Sequence, residues 1–197
     1  MSTAAERVVR LGGTAARMLF DERAIAERVA ALGRDITAYY PDGDLLLLGL
    51  LKGSFVFLAD LMRQIERPLQ IDFLVAASYG SGATSSGEVK LHYDPQSLLK
   101  GKHVLLVEDI VDSGRTLNQL VRLLRVRDPR SLEMCALLHK HLAPALDLEP
   151  RFVGFDAPSE FLVGYGLDFA ENLRHLPFVA SLGADPRGDS SARSGYT

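Results

Sequence analysis

The sequence predicts an α/β protein with a mostly parallel central sheet, flanked by helices, and a small additional lobe near the carboxyl terminus. Uninterrupted apolar runs such as LLLLGLL at residues 45–51 and VLLV at residues 104–107 are typical of strands covered on both faces. Stretches with helical spacing of apolar residues stand between these runs, and such alternation favours a parallel sheet. From Pro150 onward the pattern changes to short strands and turns, which indicates the small lobe.

Composition and charge are those of an ordinary folded protein. The 197 residues, 47% hydrophobic and 24% charged, suit a single domain with a substantial core. A net charge of −3 argues against a general nucleic-acid binder, which needs a clustered positive field. The single cysteine, Cys135, cannot form an internal disulfide, which fits a reducing compartment. Because no targeting segment or membrane-length apolar run is visible, we expect a cytoplasmic protein without a membrane partner.

The first half of the chain alternates between helical and strand patterns. Asp21 can cap a helix whose apolar residues recur at helical spacing and which ends before Pro41; these residues are Ile25, Val29, Leu32 and Ile36. The strand at residues 45–51 follows, and a Lys-Gly-Ser turn leads into a second helix over residues 54–66, with Ser54 as its N-cap.

The second half continues the same alternation. Strands are predicted at residues 71–78, 88–94, 104–109 and 132–140, and a helix at residues 116–127. A loop rich in Gly and Ser, YGSGATSSGE at residues 79–88, separates the first two of these strands. We predict one domain over residues 1–197, with a core at about 20–148 and a hood at about 150–182 that the N-terminus assists. Residues 184–197 lack the apolar side chains of a core, so we expect a disordered tail.

The segment VLLVEDIVDSGRTL at residues 104–117 carries the chemistry. A buried strand ends in Glu108 and Asp109, and Asp112 comes before a small Ser-Gly-Arg-Thr turn that opens a helix. Ligands of open α/β sheets bind at the carboxyl ends of strands, and the amino end of a helix offers free N–H groups to an anion. The turn is therefore predicted to bind phosphate. It is neither the usual triphosphate loop nor a dinucleotide site, since GxxxxGK[ST] and a strand-borne GxGxxG are both absent.

Three carboxylates beside a phosphate site need a partner of their own, because carboxylate repels phosphate. Sugar hydroxyls and a Mg²⁺ ion shared with substrate phosphates are the natural candidates. A plainer interpretation is that Asp112 only caps the following helix, since Asp is a favoured N-cap residue.

These residues also carry a family resemblance. VEDIVDSGRTL at residues 107–117 resembles the signature with which type I phosphoribosyltransferases bind 5-phosphoribosyl-1-pyrophosphate (PRPP). Four further segments are similar to the hypoxanthine-guanine branch of that family: LLKGSF at 50–55, SYGSG at 78–82, LLHK at 137–140 and the run at 152–177. The resemblance covers about residues 20–182, and the purine assignment depends on the last of these segments.

The resemblance implies a Mg²⁺-dependent transfer of the 5-phosphoribosyl group from PRPP to hypoxanthine or guanine in purine salvage. The products would be IMP or GMP and pyrophosphate. It also implies the type I phosphoribosyltransferase fold, with the ligand between core and hood, and a homodimer or homotetramer.

Roles for PRPP-binding residues follow from the same resemblance. Glu108 and Asp109 would contact the ribose hydroxyls directly or through Mg²⁺, and the Leu51–Lys52 peptide bond would be cis. The pyrophosphate contacts would be Lys52, Gly53 and Arg174. The 5′-phosphate would be held by Ser113, Gly114, Arg115, Thr116 and Leu117.

Roles at the purine follow likewise. Asp112 would be the general base at a ring nitrogen, and Lys140 would donate to the 6-oxo group. Phe161 would stack on the base, Leu162 would offer backbone groups to its edge, and Asp168 would bind a second Mg²⁺. The flap over the site would include Ser78 and Tyr79.

Without the resemblance, several of these residues have plainer interpretations. Lys52 and Lys140 would be solvated lysines at strand ends, Arg174 a charge on a helix surface, and Phe161 a core residue.

Other functions remain open at this point. A regulatory protein of the same fold would bind RNA or DNA, yet the chain is acidic and has no room for a DNA-binding segment. An enzyme that prefers xanthine is harder to separate, because Glu160 and Leu162 lie where family members vary. A pure interaction module would not need so many polar groups around one cleft.

Overall fold

The computed structural model describes residues 7–11, 14–78, 89–112, 114–142 and 145–183. The chain divides into a core unit, Val29–Ala157, and a terminal unit that combines Met1–Arg28 with Pro158–Thr197. In chain order the elements are β1 (Val8–Leu11), β2 (Thr14–Phe20), α1 (Glu22–Tyr39), β3 (Leu45–Leu51), α2 (Phe55–Met62), β4 (Gln70–Ser78), β5 (Val89–Tyr93), β6 (His103–Val111), α3 (Arg115–Arg125), β7 (Ser131–His139), β8 (Phe152–Asp156), β9 (Leu162–Val163) and β10 (Val179–Ser181).

The core unit is built on a six-stranded sheet in the order β5-β4-β3-β6-β7-β8. Its neighbouring strands run parallel except for the antiparallel pair of β4 and β5. The predicted α/β class with a mostly parallel central sheet is therefore confirmed. The parallel register brings the carboxyl ends of β3, β6 and β7 to one edge of the sheet.

Burial explains why the apolar runs form the inner strands. Residues 45–48 of β3 and 104–107 of β6 are fully buried, as expected for strands inside an α/β sheet. The apolar positions of α3, Leu117, Leu120, Val121 and Leu124, join the same core cluster. This packing fixes helix α3, which begins shortly after the carboxyl end of β6.

The helices differ from the sequence prediction at their ends. The N-cap of α1 is confirmed, since Asp21 Oδ1 accepts a hydrogen bond from the N–H of Ala24 at 2.9 Å. Ser54 occupies the N-cap position of α2 without capping it; its hydroxyl instead donates to the carbonyl of Leu50 at 2.7 Å. Helix α2 ends at Met62, four residues before the predicted end.

The terminal unit contains an antiparallel sheet in the order β1-β2-β10-β9. The first twenty residues, for which the sequence predicted no element, contain β1 and β2. Strand β2 finds a partner at the far end of the chain, where Ser181 of β10 pairs with Arg17, and local patterning does not reveal such distant pairing. The change of pattern at Pro150 is also not the boundary between the units, because β8 is an edge strand of the central sheet.

Asp72 gives the core unit a specific pH dependence. It is buried on β4 and accepts hydrogen bonds from the N–H groups of Phe73 and Ser97, both at 2.7 Å. Burial alone would raise the pKa of Asp72, but the N–H groups of Ser97 and Phe73 outweigh it and lower the pKa below its usual value.

We expect Asp72→Asn to lower the free energy of unfolding at pH 7 by about 1–3 kcal/mol. A lowered folded-state pKa gives stability that is present above the unfolded pKa, near 4, and lost as pH falls through the folded pKa. The deficit of the variant should therefore shrink in denaturant titrations as pH drops below about 4. The exposed Asp35→Asn is the control, and a deficit that stays constant with pH would contradict the account.

No helix among the described residues is both long enough and apolar enough to cross a membrane.

Candidate functional site

The carboxyl edge of the central sheet collects the predicted site residues of the core unit. Lys52 follows β3, Asp112 follows β6 and Lys140 follows β7. These three strands are direct neighbours in the sheet. The edge therefore presents two lysines and an aspartate from separate segments of the chain. The carboxyl edge is where open α/β sheets usually bind their ligands.

The turn after β3 lies against an acid of β6. A Cβ atom at Gly53 would lie 1.7 Å from Asp109 Oδ2 and 2.4 Å from its Cγ, so only glycine fits there while the carboxylate keeps its place. The Leu51–Lys52 peptide bond is cis, as the family resemblance implies. Glu108 and Asp109 lie inside β6, which runs two residues beyond its predicted end.

Glu108 is a partly buried acid without a protein partner on one of its oxygens. Its Oε2 atom is inaccessible and accepts no hydrogen bond from any residue that the structure describes. Burial, and then the carboxylate of Asp109, raise the pKa of Glu108 well above its usual value. A ligand that offered a hydroxyl or a positive charge would relieve this cost.

The start of α3 is an open helix end. Its N-cap is Gly114, which has a left-handed φ of 72° and makes no side-chain cap. The interpretation of Asp112 as a helix cap is therefore not borne out. The first N–H groups of a helix lack intrahelical acceptors, so this turn offers donors to an anion. Thr116 is partly buried and Leu117 is buried, whereas Ser113 and the side chain of Arg115 lie outside the described residues.

Asp112 and Lys140 form an ion pair across the carboxyl edge. Lys140 Nζ lies 3.2 Å from Asp112 Oδ2, and the lysine side chain is only 10% exposed while that of the aspartate is 53% exposed. The N–H of Lys140 also donates to the carbonyl of Val111 at 3.0 Å. Lys140 is therefore held by the sheet and is not a solvated lysine.

Two histidines flank Lys140, and sequence reasoning missed them. The rings of His139 and His141 contact each other at a tilt of 39°, with centroids 3.9 Å apart, and His141 Nε2 lies 2.6 Å from Asp156 Oδ1. Burial, and then His141, lower the pKa of His139. The signal was the His-Lys-His triplet at the end of a strand, since the next parallel strand places Asp156 opposite His139.

The terminal unit contains a second group of predicted residues, centred on Arg174. Its Nη2 lies 2.7 Å from Asp168 Oδ1, its Nη1 donates to the carbonyl of Gly166 at 2.8 Å, and its buried Nε has no partner among the described residues. Arg174 lies in a turn and not on a helix. The bonds of Asp168 and Gly166 fix the guanidinium plane, which suits a group that binds an anion.

Phe161 comes directly before the short strand β9, which begins at Leu162. Phe161 is partly buried and packs edge-on against Phe169, with ring centroids 5.9 Å apart. Its N–H donates to the carbonyl of Gly183, and its carbonyl accepts from the N–H of Leu182, both at 2.9 Å. Leu162 is buried. Of the predicted flap, Tyr79 and the side chain of Ser78 lie outside the described residues.

The acids present fit a magnesium ion shared with a substrate better than one bound by protein alone. No group of three or more His, Cys, Asp or Glu side chains suited to a metal occurs among the described residues. Mg²⁺ is commonly held by one or two carboxylates, with substrate phosphates and water as its other ligands. The adjacent acids Glu108 and Asp109, one with an unpartnered oxygen, match that donor set.

Comparison with known proteins identifies the family. The family model for the phosphoribosyl transferase domain matches residues 15–170. Hypoxanthine phosphoribosyltransferase of Salmonella typhimurium is 46% identical over 167 residues, covering 84% of this chain and 94% of that protein. Hypoxanthine-guanine phosphoribosyltransferase of Dictyostelium discoideum is 46% identical over 169 residues, with the same coverage.

A solved structure agrees with these relatives. Hypoxanthine phosphoribosyltransferase from Staphylococcus aureus superposes with a TM-score of 0.81 at 39% identity, covering 88% of this chain and 93% of that one. The fold, the motifs and these relatives agree, and the chain belongs to the phosphoribosyltransferase family, in its hypoxanthine-guanine branch.

Proposed function

We propose that this protein transfers the 5-phosphoribosyl group of PRPP to hypoxanthine or guanine in cytoplasmic purine salvage. The reaction forms a bond between C1′ of the ribose and a ring nitrogen of the base, and breaks the bond between C1′ and pyrophosphate. The observation that carries the proposal is the Asp112–Lys140 pair. It lies at the edge of the sheet next to the open end of α3, so a proton acceptor and a carbonyl-binding cation adjoin a phosphate site.

The 5′-phosphate binds at the start of α3. The N–H groups of residues 113–117 and the hydroxyls of Ser113 and Thr116 donate to its oxygens. Gly114, with its left-handed φ of 72°, leaves the start of α3 without a side-chain cap, so the N–H groups there are available to a ligand. This contact positions C1′ for attack by the base.

The ribose and the leaving group face acids and cations respectively. Glu108 and Asp109 accept hydrogen bonds from the ribose hydroxyls or bind Mg²⁺, while Lys52, Gly53 and Arg174 bind pyrophosphate. Mg²⁺, when bound here or at Asp168, supplies positive charge that neutralises the departing pyrophosphate. Cations placed on the leaving oxygens act most strongly in the transition state, where negative charge accumulates.

Four residues are assigned to the purine base. Asp112 accepts or shares the proton of the ring nitrogen, and Lys140 donates to the 6-oxo group. Phe161 stacks on the ring and Leu162 offers backbone groups to its edge. Residues Ser78 and Tyr79 belong to a flap that excludes water, because water attack on the activated ribose would hydrolyse PRPP.

We also propose that the protein is a homodimer or a homotetramer. Light scattering on the purified protein gives the mass directly. A mass two or four times that of the 197-residue chain supports this, and a monomer mass would contradict it.

The test of the proposed activity is product formation from PRPP and Mg²⁺ with hypoxanthine, guanine, xanthine and adenine in separate reactions. IMP and GMP with little AMP is the expected result, and the xanthine rate places the enzyme among the 6-oxopurine specificities. Measurable PRPP binding without nucleotide from any base would contradict the proposal and favour a regulatory protein of the same fold.

Lys140→Gln is expected to relax discrimination against adenine. The ammonium of Lys140 can only donate, so it is left unpaired beside the amino group of adenine, whereas a Gln amide can turn its oxygen toward that group. The ratio of kcat/KM for hypoxanthine to that for adenine should fall by about tenfold or more.

Lys100→Gln is the matched control and should keep the wild-type ratio. Lys100 is exposed, and its Nζ lies 3.8 Å from Asp128 Oδ2. An unchanged ratio in Lys140→Gln would remove the proposed role of Lys140 in base selection.

A further inference from the structure

A polar cluster in the terminal unit adjoins the Phe161–Leu162 segment. Arg17 Nη2 donates to both oxygens of Glu160, at 2.7 and 2.8 Å. The hydroxyl of Ser181 also donates to Glu160, and the N–H of Gly183 donates to the Ser181 hydroxyl oxygen at 2.9 Å. Glu160 is the residue immediately before Phe161, so the cluster ends on the chain that leads into β9.

The strand register places the cluster across three strands. Arg17 of β2 pairs with Ser181 of β10, and Ser181 pairs with Leu162 of β9. Strand β9 has only two residues, so few backbone hydrogen bonds of the ladder attach it to the sheet. The ion pair of Glu160 adds a side-chain anchor where the ladder ends.

The energetics favour a positioning role over a purely stabilising one. The side chains of Arg17 and Glu160 are 35% and 33% exposed and border an open cavity of about 270 Å³. Partly solvated ion pairs contribute little net stability, but a carboxylate that accepts several directed hydrogen bonds has a fixed orientation. The Ser181 hydroxyl, and then Arg17, lower the pKa of Glu160, so the carboxylate is charged at neutral pH.

We propose that Arg17, acting through Glu160 and Ser181, is a positioning residue that sets purine affinity by holding the Phe161–Leu162 segment in place. The inference rests on the proposed function, which assigns base stacking and edge contacts to that segment. Arg17 and Glu160 contact neither substrate in this account. They act through the backbone of residues 160–162. Phe161 in this segment exchanges backbone hydrogen bonds with Leu182 and Gly183, which directly follow Ser181 in the chain.

The test separates the two substrates kinetically. Arg17→Gln and Glu160→Gln should each raise the KM for hypoxanthine about fivefold, while kcat and the KM for PRPP stay within about twofold of wild type. The double variant should be no worse than either single variant, because both remove the same contact. Arg17→Lys keeps a donor and a charge and should recover most of the purine affinity.

Arg10→Gln is the matched control, since Arg10 is an exposed arginine of β1 in the same sheet; it should leave every constant unchanged. If Arg17→Gln lowers only the unfolding midpoint, or raises both KM values together, the cluster is structural and the inference is wrong. Activity of the wild-type protein is measured first, because its absence would contradict the proposed function itself. Wild-type activity with an unchanged hypoxanthine KM in both single variants would contradict the positioning role alone.

Discussion

Asp112→Asn is expected to lower kcat by about 10²–10⁴-fold, the usual contribution of a general base. The substitution keeps the size and shape of the side chain, and its amide oxygen can still accept a hydrogen bond from Lys140, now 3.2 Å from Asp112. It removes the negative charge that is proposed to take the proton of the purine. The turn proposed to bind PRPP begins after Asp112, so the Kd for PRPP should stay within about threefold of wild type.

Single-turnover kinetics and calorimetry with PRPP measure the two effects independently. Asp128→Asn is the control, because Asp128 is exposed after α3 and has a positive φ that asparagine tolerates. Loss of PRPP binding together with turnover in Asp112→Asn would show that Asp112 shapes the turn and is not a general base.

Gly53→Ala is the second substitution with a large expected effect. The added Cβ would lie 1.7 Å from Asp109 Oδ2, far inside van der Waals contact, so the carboxylate must move away. Asp109 is a short side chain at the end of the sheet, and its displacement disturbs the proposed ribose and Mg²⁺ contacts more than the core. A displacement of about 1 Å in a positioning group costs about 10²-fold in kcat/KM.

The free energy of unfolding separates this site effect from general damage. Gly101→Ala is the matched control: a Cβ there meets nothing within 4 Å, although its φ of +74° makes the substitution strained. Gly101→Ala should lose about 1 kcal/mol of stability and keep its activity, whereas Gly53→Ala should keep most of its stability and lose PRPP turnover. Comparable turnover in the two variants would contradict the proposed role of Asp109.

Much of the core unit could be predicted from the sequence because its signals are local. The apolar runs at β3 and β6 are long and continuous, and the acids and the small turn after them are contiguous in the chain. Lys52, Asp112 and Lys140 were assigned to one site only through the family resemblance, and the structure places them after three neighbouring parallel strands. The order of those strands was not predicted from the sequence.

Non-local contacts account for what the sequence did not reveal. The pairing of β2 with β10 joins residues more than 150 positions apart, so the sequence did not reveal that the two ends of the chain form one sheet. Strands β1 and β2 pair locally and were missed as well. The Arg17–Glu160 pair depends on that pairing and was invisible for the same reason. Ser54 was misassigned because its hydroxyl can either accept a hydrogen bond from a helix N–H or donate one to a carbonyl, and only the packed structure shows that it donates to Leu50.

The most direct test of the central claim is the stoichiometry of the reaction. Purified protein is incubated with PRPP, Mg²⁺ and hypoxanthine, and IMP and pyrophosphate are quantified together, alongside reactions that lack one component. We predict one pyrophosphate for each IMP, and neither product when the base is omitted. Pyrophosphate release without hypoxanthine, or PRPP binding without IMP, would contradict phosphoribosyl transfer to a purine as the function of this site.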